Sequence, residues 1–126
     1  QSATAMEALA GGEFNKFFPK ATNGYSVVYT QEKRGFAEAV LKYEGEEMAT
    51  LSIFDTVSNP EAAQKYKEST QQVGHYPAVD VGGNGTGILV ADRFQVQVRA
   101  KNDSFTVTDR TQWLMAFDLA GLANLQ

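Results

Sequence analysis

The alternating pattern of residues 94–101 constrains the fold of this chain more than any other part of its sequence. The apolar residues Phe94, Val96, Val98 and Ala100 alternate there with Gln95, Gln97, Arg99 and Lys101. Successive side chains of a β-strand point to opposite faces of a sheet, so this pattern predicts a strand with one buried face and one solvated face. We therefore expect Val96 and Val98 to lie in a hydrophobic core, and Gln97 and Arg99 to face water.

Other stretches of the chain also have the composition of β-strands. They are residues 25–31, 36–43 and 48–55, which follow one another closely, and residues 76–81 and 87–91. Aromatic and β-branched residues are enriched in these runs, and turn-forming residues separate them. Connections as short as Lys33-Arg34-Gly35 and Glu44-Gly45-Glu46 join antiparallel neighbours. Residues 103–107 are compatible with one further short strand.

Three segments have helical patterns. The N-terminal segment, residues 1–18, carries apolar residues at helical spacing and ends before Pro19; they are Met6, Leu9, Ala10, Phe14, Phe17 and Phe18. The capping residues in Ser58-Asn59-Pro60-Glu61 predict a central helix over residues 59–72, with Ala63, Tyr66, Thr70 and Val73 on its inner side. Asp109 with Gln112 predicts a capped C-terminal helix over residues 109–125.

Together these elements predict an α+β fold in a single domain that spans residues 1–126. Runs of strands that are interrupted by single helices and joined by short turns are typical of α+β folds rather than of alternating βαβ units. We expect one antiparallel sheet of five to six strands, with the N-terminal, central and C-terminal helices packed mainly on one face. With 126 residues, of which 43% are hydrophobic and 21% charged, the chain can bury one continuous core without disulfides or metal.

Charge and composition exclude several classes of function. A net charge of -4 at pH 7 argues against sequence-independent binding to nucleic acid or anionic lipid, because both require clustered Lys and Arg. The chain has no cysteine, which excludes disulfides, thiolate zinc sites, iron–sulfur centres and a cysteine nucleophile. No stretch reaches the roughly 18 uninterrupted apolar residues of a membrane span. We expect no nucleic acid partner, no membrane span and no cofactor.

The glycine-rich stretch and the histidine have structural explanations. Gly82-Gly83-Asn84-Gly85-Thr86-Gly87 lacks the G-x-G-x-x-G spacing, and a strand pattern follows it where a helix would be needed. We therefore interpret it as a hairpin turn, which its Asn-Gly pair favours, rather than as a phosphate-binding loop. His75 is the only histidine, and Pro77 restricts Tyr76 to an extended conformation, so we expect a structural role for His75 as well.

The charged candidates are explained by turn chemistry. The carboxylates of Asp55, Asp80, Asp92 and Asp103 all fall at predicted strand ends or turns, where Asp commonly bonds to nearby backbone. Lys33-Arg34 forms the solvated tip of a predicted hairpin. Because these residues give no convergent set of ligands or acid–base groups, we predict no catalytic, cofactor-binding or metal site.

The predicted C-terminal helix is apolar on nearly every side. Its apolar residues are Trp113, Leu114, Met115, Phe117, Leu119, Leu122 and Leu125. Such a helix must be covered on more than one side. At 100° per residue, Met115, Leu119 and Leu122 lie on the side away from Trp113 and Phe117. We regard these three residues as a candidate contact surface, which is covered by the N-terminal segment, by a protein partner or by self-association.

The elements follow an order of three strands, a capped helix after a strand that ends in Asp, more strands and a C-terminal helix. This order, with the passage from Phe54-Asp55 to Pro60-Glu61, resembles the PsbP/DcrB/Mog1 group of small α+β domains over residues 25–125. Many members of that group are exported bacterial lipoproteins or thylakoid-lumen proteins that act as accessory factors rather than enzymes. The resemblance implies a non-catalytic role. The sequence has no N-terminal Cys for lipidation, so this feature of the group is either absent or lost with a trimmed leader.

These observations leave three hypotheses about function. The first is a non-enzymatic exported binding or accessory domain that acts through a protein-protein or apolar surface. The second is a small apolar-ligand carrier, with residues such as Phe36, Tyr43 and Phe94 lining a space between sheet and helices. The third is a small enzyme on a cystatin-like or NTF2-like curved sheet, which would need a polar cluster inside such a cavity.

The expected location is outside the cytoplasm, in the periplasm or the thylakoid lumen. The chain starts with Gln-Ser-Ala-Thr-Ala and has no initiator Met, which is typical of a chain trimmed after a small-residue cleavage site. A trimmed expression product has the same appearance.

Overall fold

The structure, a computed structural model, describes residues 7–125. Seven strands are present in this range: β1 Tyr25–Lys33, β2 Phe36–Tyr43, β3 Glu46–Asp55, β4 Gln71–Val73, β5 Tyr76–Val81, β6 Gly85–Val90 and β7 Phe94–Ala100. The helices are α1 Glu61–Lys67, α2 Val107–Ala116 and α3 Leu119–Ala123, with 3-10 helices at Gly11–Phe17 and Thr56–Ser58. The α+β class that the sequence predicts is confirmed.

All seven strands belong to one antiparallel sheet in the order β1-β2-β3-β7-β6-β5-β4. The prediction of five to six strands is therefore too low. The additional strand is β4, which pairs with β5 and which the prediction placed partly in the central helix. α1 spans only Glu61–Lys67 of the helix predicted over residues 59–72, so Gln71 is free to start this strand. Neither Ser58 nor Asn59 caps it, because Ser58 belongs to the preceding 3-10 helix and the residue before α1 is Pro60. Residues 103–107 form no strand; Phe105 is instead buried in the core.

One face of the sheet packs against the helices at both ends of the chain. Ile88 and Val90 of β6 and Val96 and Val98 of β7 contribute to this main core, and all four side chains are fully buried. The N-terminal 3-10 helix, α2 and α3 cover it. Gln97 is half-buried and Arg99 is exposed on the other face, so the alternation in the sequence correctly predicts the orientation of β7.

α1 lies on the opposite face of the sheet. Its residues Ala63 and Tyr66 form a second, smaller core with Leu89 of β6 and Val79 of β5. Leu89 lies between Ile88 and Val90 in sequence and therefore points away from them. The prediction placed the helices mainly on one face; α1 differs because an apolar residue of β6 points to the other face and needs cover.

The N-terminal segment, in which the sequence predicts a short helix or two helical pieces within residues 1–18, contains one short helix in its described part. The described part is a 3-10 helix, Gly11–Phe17, and Met6 lies outside the described residues. Gly11 packs directly on the β1–β2 hairpin, where a Cβ atom would overlap the carbonyl oxygens of Phe36 and Lys33. This close approach lets Phe14 and Phe17 enter the core, where both are buried.

The C-terminal region contains two helices rather than the single helix predicted over residues 109–125. Phe117 is extended, with φ −65° and ψ 153°, and Asp118 starts α3 by accepting a hydrogen bond from the Gly121 N–H at 3.0 Å. α2 begins earlier than predicted, because Thr106 and Asp109 form its capping box instead of Asp109 and Gln112.

Candidate functional site

A large part of the second sheet face has no helix on it. α1 covers β5 and β6, whereas the same face of β2, β3 and β7 is left open. We call this area the open sheet face and define it by eight residues: Phe36, Glu38, Thr50, Ser52, Phe54, Gln95, Gln97 and Arg99. Seven of the eight are half-buried or buried as the floor of shallow grooves, and Arg99 is exposed.

The strand register arranges these residues in cross-strand rows. Phe36 lies opposite Phe54, which lies opposite Gln95 on β7. The next row contains Glu38, Ser52 and Gln97. Thr50 lies opposite Arg99 in the third row. Side chains directly opposite in an antiparallel sheet are about 5 Å apart, so each row forms one continuous contact surface.

Two adjoining grooves run over this surface. One has a volume of about 350 Å³ and extends from Lys33 and Arg34 over Phe36 and Phe54 to Gln95. The second, of about 320 Å³, continues over Glu38, Ser52 and Thr50 to Arg99. Their shared residues Phe36, Ser52 and Gln97 make them one elongated depression.

The open sheet face carries more positive than negative charge. Lys33, at the rim of one groove, and Arg99, in the other, contribute positive charge against the single carboxylate of Glu38. Arg34 also lines the first groove, but its guanidinium lies 3.5 Å from the Glu7 carboxylate and donates to the carbonyl oxygen of Ala8 at 3.0 Å. The Lys33 ammonium lies 5.5 Å from the centre of the Phe36 ring. The Glu38 carboxylate accepts hydrogen bonds from Thr30 Oγ1 at 3.1 Å and from Gln31 Nε2 at 3.3 Å. A net positive surface on a chain with an overall charge of -4 favours a negatively charged ligand.

Tyr66 of α1 borders the open sheet face at Gln95. Its ring is fully buried, and its hydroxyl donates a hydrogen bond to Gln95 Oε1 at 2.8 Å. Burial raises the pKa of the Tyr66 hydroxyl, which therefore stays protonated as a donor. Gly87 of β6 lies beneath it, and a Cβ atom there would overlap the Tyr66 hydroxyl. The glycine therefore allows α1 to pack this closely on the sheet.

A buried salt bridge holds the adjacent ends of β3 and β7. Arg93 donates from Nε to Asp55 Oδ1 and from Nη2 to Oδ2, both at 2.9 Å. Asp55 also accepts the N–H groups of Leu9 at 3.0 Å and Val57 at 3.1 Å. Burial alone would raise the pKa of Asp55, but these hydrogen bonds and the charge of Arg93 lower it. The site is structural, because both carboxylate oxygens are satisfied.

The other candidate carboxylates stay apart from Asp55. Asp80, Asp92 and Asp103 are each exposed on separate turns or strand ends. Asp92 has φ 57° and follows Ala91 with φ 56°, so both are central residues of the tight β6–β7 turn. His75 is exposed and stacks on Tyr76, with ring centres 4.2 Å apart. Within residues 7–125, no three His, Asp or Glu side chains come close enough to hold a metal ion.

The glycine-rich stretch is a hairpin turn, as the sequence predicts. Residues 82–84 connect β5 to β6, and Gly82 adopts φ 63°. Asn84 Nδ2 donates to the carbonyl oxygen of Ala100 at 2.8 Å, which ties the turn to the end of β7. A strand follows where a phosphate-binding loop would have a helix.

The three residues suggested for an apolar carrier do not line one cavity. Phe94 is fully buried against Phe14, with ring centres 6.0 Å apart. Phe36 lies on the open sheet face. Tyr43 is 38% exposed and contacts Tyr25 at the rim of the other face.

The candidate contact surface on the C-terminal helix is divided by the helix break. Met115 of α2 is 46% exposed, whereas Leu119 and Leu122 of α3 are buried. The backbone turn at Phe117 directs α3 onto the N-terminal 3-10 helix, and the Asp118 N–H donates to the Phe17 carbonyl at 2.9 Å. The three side chains therefore do not form one exposed surface, and the N-terminal segment covers α3.

Sequence reasoning missed the open sheet face as a site. It assigned Gln97 and Arg99 correctly to the solvated side of β7, but it did not predict which strands pair with β7. The sequence does carry one indication of this site: polar residues also occur within two other strands, namely Glu38 on β2 and Thr50 and Ser52 on β3. Residue Arg93, the partner of Asp55, was also missed.

Among the helices in residues 7–125, none combines the length and apolar character needed to cross a membrane. The chain matches no protein-family model, no curated protein and no solved structure.

Proposed function

We propose that this chain is a non-enzymatic binding domain that holds an acidic, partly apolar segment of a partner protein on the open sheet face. The observation that carries this proposal is an uncovered sheet surface on which two Phe residues, Phe36 and Phe54, lie side by side between cationic groups. Apolar and aromatic area supplies affinity, and the surrounding charges select the partner and orient it.

The side chains of the open sheet face are suited to recognition. Gln97 and Ser52 each offer hydrogen-bond donors and acceptors to a peptide backbone, whereas the buried Gln95 already accepts from Tyr66. Lys33 lines one of the two adjoining grooves and Arg99 lines the other, and each can pair with a carboxylate of the partner. An elongated depression with cations at both ends fits an extended segment better than a compact small molecule.

The resemblance to accessory domains supports the same role. A non-catalytic function in an exported compartment, as in the PsbP/DcrB/Mog1 group, is part of this proposal. The enzyme alternative would require acid–base groups in an enclosed site, whereas the open sheet face is shallow and its carboxylate, Glu38, is engaged by Thr30 and Gln31.

Nuclear magnetic resonance of the labelled chain can test the proposal. Two peptide pools of equal length and apolar content are added separately, one rich in Asp and Glu and one rich in Lys and Arg. We expect the acidic pool to shift amide signals in β2, β3 and β7, and the basic pool to leave them unchanged. Equal shifts with both pools, or shifts confined to other parts of the fold, would contradict the proposal.

A matched pair of variants locates the contact. Phe54→Ala removes a half-buried ring from the open sheet face, and we expect it to weaken binding of the acidic pool about tenfold. Gln64→Ala changes an exposed residue of α1 outside the grooves and should leave the affinity unchanged.

A further inference from the structure

We propose a second binding site, for a neutral saccharide, in a cleft on the helix-covered side of the sheet. The cleft has a volume of about 350 Å³ and lies between α2 and the segment that leads into β1. We call it the aromatic cleft. Its half-buried wall contains Tyr25 and Trp113, and its rim contains Lys20, Asn23, Asp109 and Gln112. Because it lies on the opposite side from the open sheet face, this site is independent of the function proposed above.

The wall presents aromatic surface from two rings that are inclined by 58° to each other. Trp113 contacts Tyr25 with ring centres 5.0 Å apart, and Tyr25 contacts Tyr43 at 4.7 Å. Tyr25 thus contacts aromatic rings on two sides, and the half-buried indole of Trp113 is the ring that offers apolar surface to a ligand. The C–H groups on one face of a pyranose ring form an apolar surface of matching shape, so stacking on such a wall is the usual way in which sugars contact protein.

The rim favours a neutral ligand with many hydroxyl groups. Lys20 and Asp109 carry opposite charges, so a cation or an anion would meet one repelling group. Asn23 and Gln112 carry amides, which donate and accept hydrogen bonds equally well. Asp109 uses Oδ2 to accept the Thr106 N–H at 2.8 Å, which leaves Oδ1 to accept a sugar hydroxyl.

Both sides of the cleft are held rigidly before any ligand arrives. On one side, Asn23 and Gly24 form a tight turn with φ 51° and 88°, closed by hydrogen bonds between Thr22 and Tyr25 at 2.9 and 3.2 Å. On the other side, Arg110 anchors α2 to the sheet by donating from Nε to Thr86 Oγ1 at 3.0 Å. A preformed site loses little conformational entropy on binding, which matters for weakly binding sugars.

Tryptophan fluorescence can test this site directly, because Trp113 is the only tryptophan. The full chain is titrated with cellobiose, maltose and chitobiose. We expect at least one of these disaccharides to give a saturable change in emission. Gln112→Ala should weaken that binding about tenfold, equivalent to the loss of hydrogen bonds worth about 1.4 kcal/mol. Met115→Ala, an exposed change on the same helix outside the cleft, should bind as the unmodified chain does.

Three outcomes would overturn the saccharide site. The first is the absence of a saturable emission change with all three disaccharides up to their solubility limits. The second is an equal loss of binding in Gln112→Ala and Met115→Ala. The third is a saturable response to choline or to acetate but to none of the sugars, which would show that the cleft selects charge.

Discussion

The guanidinium of Arg93 and the carboxylate of Asp55 meet in a buried, two-point salt bridge at the junction of β3 and β7. These two strands are far apart in sequence but adjacent in the sheet, and together they supply most of the open sheet face. Asp55 also binds the backbone N–H of Leu9, so the same carboxylate attaches the N-terminal segment. The salt bridge therefore stabilises the arrangement of strands on which the proposed binding surface depends.

Removing one partner of this salt bridge should strongly destabilise the fold. Arg93→Ala leaves the buried Asp55 carboxylate without its counter-charge, and loss of one partner of a buried pair costs about 3–5 kcal/mol. We expect urea denaturation to show a decrease of this size in the free energy of unfolding. Asp80→Asn changes an exposed carboxylate and serves as the control, with an expected change within about 0.5 kcal/mol. Equal stabilities for the two variants would contradict the structural role of the salt bridge.

The pH dependence of stability should carry the signature of Asp55. Its pKa is lowered in the folded state, so its contribution is fully present above the unfolded pKa of about 3.9 and is lost as the pH falls through the folded value. We therefore expect the stability difference between the unmodified chain and Asp55→Asn to be constant near neutral pH and to shrink below about pH 4. A difference that stays constant throughout the acid range would show that Asp55 does not titrate in this way.

A new carboxylate should destabilise the domain strongly on one face of β7 and only slightly on the other. Val96 is fully buried, so Val96→Asp places an unpaired charge in the core at a cost of several kcal/mol, against a total stability of roughly 5–15 kcal/mol. Gln97→Asp adds the same charge on the half-buried open sheet face and should leave the domain folded. Thermal unfolding followed by circular dichroism compares them, and equal melting temperatures would contradict the assignment of the faces.

The break at Phe117 predicts different roles for two neighbouring apolar residues. Leu119 is buried beneath the N-terminal segment, so Leu119→Glu should destabilise the fold by several kcal/mol rather than release a monomer from a complex. Met115 is 46% exposed, and Met115→Glu should change stability by less than about 0.5 kcal/mol. Sedimentation and urea denaturation of both variants check this, and a stable, folded Leu119→Glu chain would contradict the observed packing.

The sequence was sufficient to predict those strands, turns and helices that are determined by residues close together in the chain. The alternation in β7, the hairpin connections around Gly35 and Gly45, and the presence of a helix after Pro60 depend on residues close together in the chain. The helix break at Phe117 was not predicted, because a mostly apolar stretch fits one helix as well as two. Asp118 is the only local sign of it, as a capping residue within that run.

The candidate site could not be predicted because it depends on long-range pairing. β7 inserts between β3 and β6, and this placement brings Gln97 next to Ser52. No local pattern specifies which strands become neighbours across such a distance in sequence. The Arg93–Asp55 pair was missed for the same reason. The Asn23-Gly24 turn beside the aromatic cleft, in contrast, has a local signal that could have been used.

Binding of the acidic peptide pool to two charge-reversal variants tests the central proposal most directly. Arg99→Glu reverses a charge on the open sheet face, and Lys16→Glu makes the same change in net charge on the exposed side of the N-terminal 3-10 helix. We predict that Arg99→Glu weakens binding about tenfold or more at an unchanged melting temperature, and that Lys16→Glu retains the affinity of the unmodified chain. Equal affinities for the two variants would show that the open sheet face is not the binding surface.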